Sequence, residues 1–160
     1  MSGTTGSTVQ QSAVITLAAG TSNRVFIACS GGVLTGGGFS KDLGINVTTA
    51  APARDGWLVA GTNHSTANQK LTAYVICLQG TNLNASTVSQ SGSAKAGGIA
   101  NTMVGCPDGT LISGGGFDTA AGVNVYSSAS HDNGWQIYGI NLTSATQQLN
   151  AYAICVTPLV

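Results

Sequence analysis

The fold of this chain is decided by a stretch that occurs twice: residues 71–77 read Leu-Thr-Ala-Tyr-Val-Ile-Cys, and residues 149–155 read Leu-Asn-Ala-Tyr-Ala-Ile-Cys. Each run has the length of a strand and is apolar at both odd and even positions. Such runs are typical of strands that are buried on both faces. We therefore predict two central β-strands, Leu71–Leu78 and Leu149–Val156.

The likeness between the two runs extends outward over a large part of the chain. Gly-Gly-Gly-Phe at residues 36–39 recurs at residues 114–117, and Gly-Trp at residues 56–57 recurs at residues 134–135, always 78 residues apart. A fixed offset of this size is typical of an internal repeat. The sequence predicts a flexible lead at residues 1–8, repeat one at 9–80 and repeat two at 81–160, with either one shared core or two.

The repeat is predicted to be all-β. From Trp57 to Asn63 every second residue keeps its type in the other copy, while the residues between them change, which is typical of a half-buried strand. No segment has the pattern of an amphipathic helix. We predict a tandem duplicated antiparallel β unit that forms a sandwich, barrel or prism with pseudo-two-fold symmetry. The other predicted strands are Ala13–Leu17, Arg24–Cys29, Val33–Thr35, Ile45–Ala50, Thr102–Cys106, Thr110–Ser113 and Val123–Ala129, and Ala85–Ser91 is a candidate within the connector 81–100.

The glycine triplets predict a bulge, a sharp bend or a backbone lying against an aromatic ring. Trp57 and Trp135 are the candidate rings, because each follows a glycine and begins a strand. Two interpretations of these tryptophans remain open, a core position or a pair of saccharide pockets. Tyr126 and Tyr138 lie at positions that differ between the copies, so we expect them to be exposed and to contact a partner.

The four cysteines repeat together with the rest of the unit. If each copy keeps its own bridge, the disulfides are Cys29–Cys77 and Cys106–Cys155. Buried free thiols are the alternative, and a metal site is disfavoured because no Cys-x-x-Cys and no repeated histidine occur. Disulfides would place the protein outside the reducing cytosol, in the extracellular space or on a virion surface. The first 20 residues lack the features of a signal peptide, which favours a mature fragment or a virion component released by lysis.

The charge of the chain excludes several classes of partner. Charged residues make up 6% of its 160 residues, and five Lys+Arg balance five acids, all of them Asp. Globular domains usually carry about 25% charged residues. A neutral chain without a basic cluster is not expected to bind nucleic acid or an anionic membrane. No apolar run approaches the roughly 20 residues of a membrane span.

Catalytic groups are scarce, so we predict that the protein is not an enzyme and has no metal or cofactor. The five Asp lie in turn-like segments, where solvated side chains are the rule. Ser130-His131-Asp132 contains the residue types of a catalytic triad, but neighbours on one strand do not converge. Four Asn-x-Ser/Thr triplets are about what a chain rich in Ser and Thr contains by chance.

These observations favour a structural or interaction protein. An uncharged surface promotes association, so we expect a subunit of an extracellular assembly, namely a virion decoration or fibre protein or a surface or filament component. Its partners would be further copies of itself or other subunits. The alternative is a bivalent carbohydrate-binding module that contacts glycans through the tryptophans and tyrosines.

Overall fold

The computed structural model describes residues 6–80 and 82–157, which form twelve β-strands and, within these ranges, no helix. Alternation of apolar and polar side chains in segments bounded by Gly, Asn and Asp explains why the chain is extended nearly throughout. The strands are β1 Ser7–Leu17, β2 Ser22–Ala28, β3 Val33–Lys41, β4 Ile45–Ala53, β5 Gly56–Asn63, β6 Gln69–Gln79, β7 Asn84–Ala94, β8 Ile99–Gly105, β9 Leu111–Thr119, β10 Val123–His131, β11 Gly134–Asn141 and β12 Gln147–Thr157.

Both halves have the same strand order. In the first half the orders are β1-β6-β3 and β2-β5-β4; in the second they are β7-β12-β9 and β8-β11-β10. All of these pairs are antiparallel. The all-β prediction is confirmed, and the layered arrangement is consistent with a sandwich. The duplication and the pseudo-two-fold symmetry stay predictions.

A short contact between β4 and β9 joins the two halves. Thr49 pairs with Asp118 and Ala50 pairs with Phe117, which creates a six-stranded sheet of order β2-β5-β4-β9-β12-β7. The Thr49 hydroxyl also donates a hydrogen bond of 2.9 Å to an Asp118 carboxylate oxygen. The halves are therefore joined by backbone pairing as well as by side chains.

The two apolar runs form the central strands of their sheets, as predicted. β6 lies between β1 and β3, and β12 lies between β9 and β7. One face of β6 is fully buried, but the other face, which carries Tyr74 and Ile76, is only half-buried. The expectation of complete burial on both faces is therefore wrong for β6, and the outer face of β12 is likewise half-buried at Asn150, Tyr152 and Val156.

The glycine triplets lie inside β3 and β9 rather than after them, so these strands are longer than predicted. The register shifts at Thr35 in β3 and at Ser113 in β9, which confirms the predicted bulge. The hydroxyl of each bulged residue donates to the carbonyl of the facing isoleucine, over 3.1 Å from Thr35 to Ile76 and 3.2 Å from Ser113 to Ile154.

Glycine is required in these triplets because other parts of the chain approach closely. A Cβ on Gly37 would collide with the ring of Trp57, and a Cβ on Gly114 would collide with the backbone of Thr35 and Gly36. The predicted packing of the glycine backbone against an aromatic ring is therefore confirmed, with Gly37 against Trp57. In addition, the triplet of β9 packs against the first half, so glycine contributes to the junction between the halves.

One contiguous cluster of buried side chains includes residues of both halves. It contains Leu17, Trp57, Leu71, Phe117, Ile137 and Leu149, among others. Each of these side chains is 3% exposed or less. The two halves therefore share an apolar core.

Two predicted boundaries shift in the structure. β1 begins at Ser7, inside the predicted lead 1–8, and residues 1–5 of that lead lie outside the described residues. Most of the predicted connector 81–100 belongs to β7, which contains the candidate strand Ala85–Ser91. Its alternation is weak because small polar residues occupy both faces.

Candidate interaction site

The four cysteines form the two predicted disulfides. Cys29 is bonded to Cys77 and Cys106 to Cys155, with Cα atoms 5.8 and 5.6 Å apart. In each half the bridge connects the end of one sheet, β2 or β8, with the central strand of the other, β6 or β12. Two disulfides are typical of an oxidising, extracellular or secreted environment. The cysteines therefore have a structural role.

Trp57 occupies a core position. Its side chain is 1% exposed, so neither face of the ring is open to a saccharide. Its indole Nε1 is buried and has no hydrogen-bond partner among the described residues. The position of strand β4 that aligns with Ser128 is Ala50, which has no hydroxyl to accept this hydrogen.

Trp135 is half-buried against the same core. Its indole Nε1 donates a hydrogen bond of 2.9 Å to the Ser128 hydroxyl. A Cβ on Gly115 would collide with the indole ring, as on Gly37 in the first half. Packing and a hydrogen bond therefore hold this ring, which leaves only part of its surface accessible.

Tyr126 and Tyr138 lie together on the outer face of the sheet β8-β11-β10. Their ring centroids are 6.1 Å apart and the ring planes differ by 30°, which is a stacked arrangement. Tyr126 is 57% exposed, whereas Tyr138 is half-buried. Tyr126 occupies the bulge between Val125 and Ser127. Ser127 is the register partner of Tyr138, so the bulge places the Tyr126 ring next to the Tyr138 ring. The structure thus brings these two predicted contact residues together.

Amide and apolar side chains continue this outer face. The Gln136 amide nitrogen donates to Asn101 Oδ1 over 2.9 Å and to the Tyr138 hydroxyl over 3.2 Å. Met103 faces Gln136 in the register and is 38% exposed. We call the five residues Asn101, Met103, Tyr126, Gln136 and Tyr138 the tyrosine face. It is uncharged, and it offers aromatic surface and amide groups to a ligand.

Sequence reasoning found the two tyrosines but missed their neighbours on β8. Ile99, Asn101 and Met103 are alternate residues of this strand, and all three are exposed. Their alternation with Ala100, Thr102 and Val104 is visible in the sequence and could have indicated an outward face. The sequence does not reveal that β8 pairs with β11, since strand partners are set by tertiary structure.

The long edge strands are a second candidate interaction surface. β1 and β7 each have 11 residues and, within the described chain, each pairs on one side only, β1 with β6 and β7 with β12. Neither strand contains a charged residue or a proline. Proteins usually protect exposed edges with such residues, because unpaired backbone groups attract other strands.

The possible catalytic and metal-binding groups are dispersed. Ser130 and His131 are neighbours on β10, so their side chains point to opposite faces. His131 Nε2 lies 3.5 Å from Asp132 Oδ2 at the surface. Within residues 6–80 and 82–157, no three His, Cys, Asp or Glu side chains form a group that could hold a metal ion. In the same ranges no helix has the length and hydropathy needed to cross a membrane.

Comparison with known proteins gives no relative for this chain, since no family model, no curated protein and no solved structure matches it.

Proposed function

We propose that the protein is a non-catalytic subunit of an extracellular assembly, such as a virion decoration or fibre protein or a surface filament. In this assembly, β1 and β7 of one copy pair with the same edge strands of another copy. The observation that carries the proposal is the pair of long edge strands without charge or proline. In each of these strands one side of an eleven-residue backbone is unpaired within the described chain, and it provides a template for strand addition.

The side chains of the edge strands also favour a partner of the same kind. The exposed residues of β1 and β7 are mostly Ser, Thr, Gln and Ala, with Val14 60% exposed. Two copies can approach without repulsion between like charges, and no desolvation of a formal charge opposes the contact. The low overall charge of the chain has the same effect at longer range.

A lysine in an edge strand tests this proposal. We expect the wild type to have a mass several times its chain mass of 15.9 kDa by light scattering after gel filtration. Val14→Lys together with Ser89→Lys should shift this mass to that of the monomer, because charges on an edge oppose strand pairing.

Leu111→Lys is the matched control. The exposed fraction of Leu111, 55%, is similar to the 60% of Val14. Leu111 belongs to β9, however, which lies between β4 and β12 and is not an edge strand. This variant should keep the wild-type mass. A wild type that is monomeric at all concentrations, or an assembly that the double variant leaves intact, would overturn the proposal.

The tyrosine face favours a second candidate function, the binding of neutral saccharides. The apolar face of a sugar ring packs on aromatic rings, and its hydroxyls form hydrogen bonds with amide groups. The tyrosine face offers both kinds of side chain. On a glycan array, Tyr126→Ala should lose binding. Phe26→Ala, which removes a 42% exposed ring from β2 in the first half, should not. Equal binding by both variants would exclude this face as the saccharide site.

A further inference from the structure

A cleft lies where the two halves meet, on a side that the proposed assembly contacts do not use. It has a volume of about 440 Å³. Its walls come from β3, β4 and the loop between them, from the β5–β6 loop, and from β9 and β10 of the second half. Both halves are needed to form it, which is a common position for a ligand site.

The floor of the cleft is aromatic. The rings of Phe39 and Phe117 meet edge to face, with centroids 6.3 Å apart and planes at 82°. Phe117 is 3% exposed and belongs to the core, whereas Phe39 is 37% exposed. A partly exposed phenyl ring in a concave site favours a ligand with an apolar or aromatic body.

Polar side chains lie where the cleft adjoins a second cavity. Asn46, His64 and Asn124 line the cleft and also line a neighbouring cavity of about 370 Å³, to which Leu142 contributes as well. The two cavities therefore meet at these three side chains. His64 and Leu142 are both exposed, so this polar region is open to solvent.

The cleft has one formal charge, and it is positive. Lys41 lines the cleft and, within the described residues, has no carboxylate partner within ion-pair distance. No Asp side chain lines the cleft. The nearest acid in sequence, Asp42, uses its Oδ2 to accept the Lys70 backbone N–H over 2.7 Å. Lys41 is thus available to an anion, in a site that also offers amide donors.

We propose that this cleft binds a small carboxylate with an aromatic or apolar body. Lys41 pairs with the carboxylate, Asn46 and Asn124 supply hydrogen bonds, and the body packs on Phe39. This inference does not rest on the assembly function, because none of these residues belongs to β1 or β7.

Titration with 3-phenylpropionate, followed by amide NMR, tests the proposal. We expect saturable shifts at the side-chain amides of Asn46 and Asn124. The uncharged analogue 3-phenylpropanamide should bind about tenfold more weakly, a difference of about 1.4 kcal/mol, because it cannot form the charge-assisted contact with Lys41.

Two variants identify the groups involved. Lys41→Gln should lower the affinity for 3-phenylpropionate about tenfold and leave the affinity for the amide unchanged. Lys95→Gln changes an exposed lysine that does not line the cleft, so it should bind like the wild type. Equal affinity for acid and amide, the absence of saturable shifts, or shifts located elsewhere would each overturn the proposal.

Discussion

Asn63 and Asn141 are fully buried amides, and each makes the same four hydrogen bonds. The Asn63 amide nitrogen donates to the carbonyls of Leu17 (2.9 Å) and Ala67 (2.8 Å). Its Oδ1 accepts the backbone N–H (2.9 Å) and the hydroxyl (2.7 Å) of Ser65. A primary amide is the side chain that can satisfy two acceptors and two donors at once.

The second half repeats this network with different neighbours. The Asn141 amide nitrogen donates to the carbonyls of Ala94 and Ala145. Its Oδ1 accepts hydrogen bonds from the backbone N–H and the hydroxyl of Thr143. Two of the four Asn-x-Ser/Thr triplets are therefore structural, and their amides are closed to glycan attachment in the folded protein. The sequence shows that both triplets align, but not that their amides reach β1 and β7, since those contacts span about 46 residues.

The buried amides give the first prediction. Asn63→Asp or Asn141→Asp should lower the free energy of unfolding by about 3 kcal/mol or more, because a carboxylate at a fully buried position cannot donate to the two carbonyls that the amide satisfies. Urea denaturation measures this loss. The control is Asn84→Asp, at an exposed triplet, which should stay within about 0.5 kcal/mol of the wild type. A similar loss at all three positions would mean that the hydrogen-bond network is not the cause.

Among the strands, side-chain alternation and continuous apolar runs predict position and type well, whereas the glycine-rich strands β3 and β9 are predicted only in their first residues and the small polar strand β7 only as a candidate. β6 and β12 bury large side chains, so their pattern indicates a strand. β3 and β9 continue through three glycines, which carry no side-chain pattern. Their extension depends on the close approach of Trp57, Trp135 and the facing half, which only tertiary structure reveals.

The junction between β4 and β9 also affects a neighbouring strand. Tyr152 on β12 lies opposite Gly116 of β9, and it lines a small cavity together with Thr49 and Asp118. Burial raises the pKa of the Tyr152 hydroxyl above 10, and the negative charge of Asp118 raises it further. The neutral phenol is therefore favoured in the folded protein.

This raised pKa gives the second prediction. The unfolded chain releases the Tyr152 proton near pH 10 and the folded chain only at higher pH, so the contribution to stability is complete below pH 10 and is lost as the pH rises through the folded pKa. Absorbance at 295 nm follows the ionisation of tyrosine. The wild type should show a titration step above pH 10 that is absent from Tyr152→Phe. Asp118→Asn should lower this pKa only partly, because burial is the larger cause. If the step that Tyr152→Phe removes had its midpoint at or below pH 10, the assignment would be wrong.

At the scale of the whole molecule, the shared core and the two disulfides determine how the halves unfold. Each bridge closes a loop, with sequence separations of 48 and 49 residues. In the chain-entropy description, a loop of this length stabilises the folded state by about 4 kcal/mol. Because buried residues of both halves form one cluster, loss of one bridge should destabilise both halves together.

The two tryptophans report on the two halves separately, and this gives the third prediction. In a Trp57→Phe background, fluorescence excited at the red edge of tryptophan absorption, where tyrosine absorbs little, comes from Trp135 in the second half. Removal of the first-half bridge by Cys29→Ala and Cys77→Ala should nevertheless lower the free energy of unfolding measured at Trp135, by up to about 4 kcal/mol.

The reciprocal experiment is the control for this cooperativity. It removes the second-half bridge by Cys106→Ala and Cys155→Ala and follows Trp57 in a Trp135→Phe background. If the shared core couples the halves, each tryptophan senses the loss of the distant bridge, and a single transition is observed. If removal of the distant bridge left the free energy of unfolding measured at each tryptophan unchanged, the halves would unfold independently. The contact between β4 and β9 would then join two autonomous units.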